Sequence, residues 1–246
     1  MNVARWIYVF GAVVLDGCVA LVAGLLPERW LERHQEQMVG FAAGVLLATT
    51  FLDLLPEAVR QLSIGSTLSL VLASLTVMIV LESTIGHRGK SGKGRRRAGG
   101  FAAVLLGADA FHNAADGAAI AAAFLASMRL GVLTATAVII HEVPEEMADY
   151  VLLRRNGMPR GRALVAMAGV QLTAALGAIA TLIGATAWAP ISAGALAIAA
   201  GTFLHIAEVD LIPAVLNPVG PRNRRTNVLA ALLLGIAFVI AESSGK

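Results

Sequence analysis

Residues 131–153 read GVLTATAVIIHEVPEEMADYVLL. The run is long enough to cross a bilayer, which takes about 20 mostly apolar residues in a helix. Yet its second half holds His141, Glu142, Glu145, Glu146 and Asp149, with Pro144 among them. A charge at mid-bilayer costs about 2.5–3.5 kcal/mol on insertion scales, and such groups face a bundle interior or an aqueous path. The segment therefore reads as a transmembrane helix with a functional polar face. Pro144 has no N–H, so the carbonyl of Ile140 loses its helical partner, an arrangement tolerated where backbone lines a cavity or is buried in protein.

The rest of the chain agrees. Of 246 residues, 57% are hydrophobic and 14% charged, against about 45–50% and about 25% in soluble domains. The excess implies lipid-facing surface and an all-α integral membrane protein. Eight segments reach spanning length, at roughly 6–26, 38–59, 65–84, 100–127, 131–153, 163–186, 191–215 and 227–242. Together they form one transmembrane domain, 1–246, with a flexible basic cytoplasmic loop at 86–100, GHRGKSGKGRRRAGG. The N-terminal apolar run is too long for a signal-peptide core and reads as a first span. A single cysteine, Cys18, excludes an internal disulfide and a thiolate metal cage.

Cations set the topology. With the N-terminus outside, fifteen of the 19 Lys and Arg fall on inner loops and four on the outer side. This matches the positive-inside rule with both termini outside. The basic runs are explained this way without nucleic acid, which is not an expected partner.

The fourth segment contains LLGADAFHNAADGAAIAAAFLAS. His112 and Asp116 are four residues apart and share a helix face; Asn113 is adjacent and Asp109 one turn back. The fifth segment repeats the spacing with His141 and Glu145, and Glu142 beside His141. Two helices with matched His/carboxylate pairs make a nitrogen–oxygen site suited to Zn²⁺, Fe²⁺, Mn²⁺, Co²⁺ or Cd²⁺. Asn113 and Glu142 stand where a second ion would be held, in a binuclear arrangement. No prosthetic group is expected.

FHNAADG at 111–117 and HEVPEE at 141–146 resemble the HNxxDG and HExPHE signatures of the ZIP (Zrt/Irt-like) divalent-metal transporters. FLDLLPEA at 51–58, VLES at 80–83 and FLHIAEVDLIP at 203–213 are similar to further motifs of that family, so the resemblance covers most of the chain. It implies an eight-helix bundle that moves metal toward the cytoplasm by alternating access, with one bundle sliding against another. It implies a mid-membrane site of His112, Asp116, His141 and Glu145, with Asn113 and Glu142 completing a second position. Asp53, Asp109, Asp149, His205, Glu208 and Asp210 are expected along the path. The implied setting is a multi-pass protein of the plasma or inner membrane, with divalent metal ions, lipid and a second copy in a homodimer as partners.

Three departures matter. Glu145 replaces the second His of HExPHE and hardens the site. Asp53 replaces a helix-2 His. Ala174 stands where some members carry a helix-6 Glu, which weakens the second position. Asp16 and Glu146 receive no role from spacing. Two other classes fit parts of the same sequence. An intramembrane zinc hydrolase would use HEVPE as a variant of HExxH, with Glu142 as base. A cation-conducting channel is the third reading.

Overall fold

The computed structural model describes residues 3–23, 28–90, 95–188, 190–216 and 222–244. Among the described residues the chain is helical throughout, without strands. Helix α1 spans Val3–Ala23. Helix α2 runs from Glu28–Thr49 through a π-helical turn at Thr50–Leu54 to Leu55–Gln61. Then come α3, Ile64–Lys90; α4, Arg95–Ala126; α5, Met128–Arg155; and α6, Arg160–Ala187. Helix α7 runs from Pro190–His205 through a second π-helical turn at Ile206–Leu211 to Ile212–Leu216, and α8 is Arg222–Ser244.

Most of these helices outrun the apolar segments that announce them, because apolarity measures bilayer thickness and not helix length. The polar stretch ERWLERHQEQ, built of good helix formers, continues α2 backward to Glu28. The expected loop at 86–100 is shortened as well, despite its glycines. Helix α3 continues to Lys90 and α4 begins at Arg95, leaving only 91–94 outside the described residues. Both π-helical turns sit just before a proline, Pro56 and Pro213. A proline ring collides with the carbonyl four residues back, and a wider turn gives that carbonyl room.

The turn between α4 and α5 is one residue long. Ser127 caps α5 by accepting a hydrogen bond from the Leu130 amide at 3.1 Å. Gly131 is needed there, since a β-carbon would overlap the Phe124 ring. Helix α5 ends on Gly157, whose φ of +88° lies in the left-handed region that favours glycine.

Among the described residues five stretches are long and apolar enough to cross a membrane: Glu36–Gln61, Ile64–Leu81, Arg160–Ala187, Pro190–Val209 and Arg225–Ser243. The fold is that of a helical, multi-pass membrane protein. Helices α4 and α5 are not among the five, since polar residues interrupt their apolar runs.

Packing divides the helices into two groups. In one, α4 lies along α6, and α1 and α5 pack beside them. In the other, α2 lies along α8 and α3 along α7. Small residues bring each pair together, as in membrane helices generally. Gly117 faces the Ala174 carbonyl and Gly177 the Ala114 carbonyl between α4 and α6. Gly44 and Gly235 do the same between α2 and α8, and Gly201 seats Ser74 between α7 and α3. The groups meet where α4 touches α7 and α2 touches α5.

Candidate metal centre

Helices α4 and α5 form an antiparallel hairpin about Ser127, so the middle of one faces the middle of the other. His112, Asp116, His141 and Glu142 each bring one ligand atom to a common point, all within 4.8 Å of one another. All four side chains are buried. The two Nε2 atoms of His112 and His141 are 3.1 Å apart. Asp116 Oδ2 lies 3.3 Å from the first and 3.1 Å from the second. Glu142 Oε1 and Glu145 Oε2 stand 3.7 and 3.4 Å from His112 Nε2.

These separations have a simple geometric meaning. Two ligands held 2.0–2.1 Å from a tetrahedral centre are about 3.3 Å apart. The side chains are therefore spaced as the edges of a coordination shell. Their chemistry points the same way. His141 Nδ1 is 3.0 Å from the Ala137 carbonyl, one turn back. A carbonyl only accepts, so Nδ1 carries the proton and Nε2 presents its lone pair to the cluster, the arrangement usual for a ligating histidine. Phe203 of α7 closes the other side of the ring at 5.5 Å. Asp116 is fully buried and neither oxygen has a hydrogen-bond donor. A carboxylate so placed is costly, and a cation among these atoms offsets that cost.

The model of the ZIP zinc transporter family matches residues 86–241, which includes the whole cluster. Zinc transporter ZIP13 of Pongo abelii is 32% identical over 232 residues, covering 85% of this chain and 67% of that protein. The chain belongs to the ZIP zinc transporter family. Two further relatives are zinc transporter ZIP4 of Mus musculus, 41% identical over 117 residues (46% of this chain, 17% of the relative), and zinc transporter SLC39A7 of Rattus norvegicus, 34% over 146 residues (55% and 30%). The chain thus spans less than a third of those two proteins.

Within this ZIP-family site the remaining expected residues fall in different places. Glu145 reaches His112 but is partly exposed, and Glu142 stands in the group of four in its stead. Asn113 is buried and donates to Asp109 Oδ1 at 2.8 Å and to the Asp109 carbonyl at 3.2 Å. Its own oxygen has no hydrogen-bond partner. Asp149 lies within electrostatic reach of Asp109, and His205 of His112. Asp53 sits in the π-helical turn of α2, apart from the four, and accepts from Ser243 of α8 at 3.4 Å. Glu208 is exposed on the second π-helical turn, and the side chain of Asp210 lies outside the described residues.

Spacing alone missed a residue on α6. Gln171, one turn before Ala174, donates to Glu142 Oε2 at 3.3 Å and to Glu146 Oε1. A lone glutamine in an apolar helix carries no sequence signal that it meets two carboxylates of α5.

Proposed function

We propose that this chain carries divalent transition-metal cations, Zn²⁺ first among them, across a membrane toward the cytoplasm. The observation that carries the reading is the gathering of His112, Asp116, His141 and Glu142 ligand atoms within 4.8 Å, buried between two helices of a membrane bundle. Membership of a family of zinc transporters, and not of enzymes, supports it. In this reading His112, Asp116 and His141 hold the cargo ion. Glu142 and Glu145 alternate or share the remaining oxygen position, and Asn113 serves a second ion through its free oxygen. Asp53 gathers cations on the outer side; Asp109, Asp149, His205, Glu208 and Asp210 hand them inward.

The proposal extends to eight spans with both termini outside, placement in the cell membrane, and a homodimer. Motion of the α1/α4/α5/α6 group against the α2/α3/α7/α8 group would expose the cluster to each side in turn. The hydrolase alternative requires Glu142 as a free general base. That carboxylate instead stands beside His112 and accepts from Gln171.

The test is uptake into proteoliposomes holding a metal-sensing dye. Metal-dependent signal is expected with Zn²⁺, and hydrolytic activity without flux would contradict transport. The same assay reads selectivity. Carboxylate-rich sites accept harder cations than imidazole-rich ones, so Mn²⁺ and Fe²⁺ are expected to compete with labelled Zn²⁺. A Glu145→His variant is expected to weaken that competition by about tenfold, the lower end for a changed metal environment. Strict Zn²⁺ preference in the unmodified protein would contradict the role given to Glu145.

A further inference from the structure

Arg129 has no part in the metal centre. It is half-buried in the first turn of α5, two residues past the Ser127 cap, at the tip of the hairpin that carries the cluster. Its Nε donates to the Glu242 carbonyl oxygen at 3.1 Å and its Nη2 to the same oxygen at 2.6 Å. Glu242 lies in the last turn of α8. The last four carbonyls of a helix have no partner within it and form the negative end of its dipole. A guanidinium fork meets both needs in a fixed geometry.

The contact joins the two groups of helices. Helix α5 belongs to the α1/α4/α5/α6 group and α8 to the other, and the two do not pack along each other. The bond is therefore no by-product of an apolar interface. Arg5 of α1 provides the contrast. It donates to the Leu125 carbonyl at 3.3 Å, in the last turn of α4 and at the same hairpin tip, but α1 and α4 belong to one group. The tip side of the cluster is shut. Ala119–Phe124 are six successive buried residues, more than a full turn, so every face of α4 is covered there. Leu133, Thr134, Ala135, Ala137 and Val138 of α5 are buried too. Beyond the cluster, Glu145 is partly exposed. Arg129 stands on the shut side, about 18 Å along the helix from His141; in the proposed topology this is the outer side.

We propose that Arg129 is a latch between the two groups: its bond to the end of α8 stabilises the conformation shut at the hairpin tip and breaks when that side opens. The inference rests on the reading above, in which the groups move against each other. Both donors bear on one oxygen. A shift of a few ångströms between α5 and α8 carries them past hydrogen-bond reach. Apolar contacts re-form as helix faces slide, whereas this bond exists in one register only. A hydrogen bond to a charged group favours the conformation that makes it by about tenfold or more. Arg5 travels with its partner helix and acts as a plain cap.

The experiment is labelling of a Thr134→Cys variant by a water-soluble maleimide, with the full chain in nanodiscs and the exposed Cys18 replaced by Ser. Thr134 is buried on the shut side and its hydroxyl has no hydrogen-bond partner, so cysteine suits the position. Labelling is expected to be slow in this background. Adding Arg129→Gln is expected to raise the rate by about tenfold, and adding Arg5→Gln to leave it unchanged. Unchanged labelling with Arg129→Gln overturns the proposal. An equal rise with both arginine variants overturns it too, since loss of any helix cap would then be the cause. Should Arg129→Gln fail to give monodisperse protein, Arg129→Lys replaces it. That variant keeps the charge but loses the fork; faster labelling is expected, and unchanged labelling overturns the proposal. The two readings fail separately. Absence of Zn²⁺ flux in proteoliposomes contradicts transport, whereas labelling in nanodiscs, with both faces open to solvent, decides the latch without any flux.

Discussion

A Gly117→Val variant is expected to yield no stably folded protein. Gly117 is buried on α4, where a β-carbon would lie only 1.8 Å from the Ala174 carbonyl oxygen, far inside any contact distance. Gly177 of α6 meets the Ala114 carbonyl in the same way, so the two backbones are in mutual contact. Overpacking usually costs about 1–3 kcal/mol because side chains shift to make room. Here the obstacle is backbone, and only separation of the two helices relieves it. That separation also moves Gln171 away from Glu142 and Glu146, so the damage reaches the metal centre. Gly107, also on α4, has nothing within 4 Å of its β-position. Gly107→Ala is the control and is expected to fold normally. Size-exclusion profiles and thermal melting in detergent read the result. A monodisperse Gly117→Val protein with an unchanged melting midpoint would contradict the packing described for α4 and α6.

Zn²⁺ uptake is expected to fall by at least about a hundredfold in His141→Ala, since partners one shell out already cost 10–100-fold in metal affinity. His141 is the most constrained of the ligands. Its ring is oriented by Ala137, packed by Phe203, and in contact with both His112 and Asp116. Its loss removes a nitrogen donor and leaves Asp116 with one histidine neighbour in place of two. Asn at this position restores neither the ring nor the lone pair, so His141→Asn is expected to be as inactive as alanine. Uptake within threefold of the unmodified protein in either variant would remove His141 from the cargo site.

The site was legible where its chemistry repeats along a helix. His112 and Asp116 share a face because they are four apart, and the same spacing brought out His141. Spacing put Glu145 with His141 in the cargo site and Glu142 in a second position, but which of the two turns inward depends on how α5 is rotated against α4. In the fold, Glu142 is turned to the inside and tethered by Gln171, while Glu145 stays partly exposed. Gln171 was beyond reach for a different reason. It is a single polar residue in an apolar run, and its meaning lies wholly in which helix packs beside it.

The same distinction holds for the fold. The apolar runs located the helices, since about 20 apolar residues are needed to cross the bilayer. The extensions to Glu28 and Lys90 were hidden because polar helix formers outside the bilayer leave no apolar trace. The π-helical turns before Pro56 and Pro213 were hidden too, because a proline marks local strain without fixing how the helix absorbs it.

In the proposed function His112 and His141 hold one metal ion together between α4 and α5. Anomalous scattering from crystals of the Zn²⁺-loaded chain, collected at the zinc edge, tests it most directly. A peak is expected about 2.0–2.1 Å from the Nε2 atoms of both histidines, with an Asp116 oxygen as a further ligand. A peak elsewhere in the bundle, or one touching only a single histidine, would contradict it.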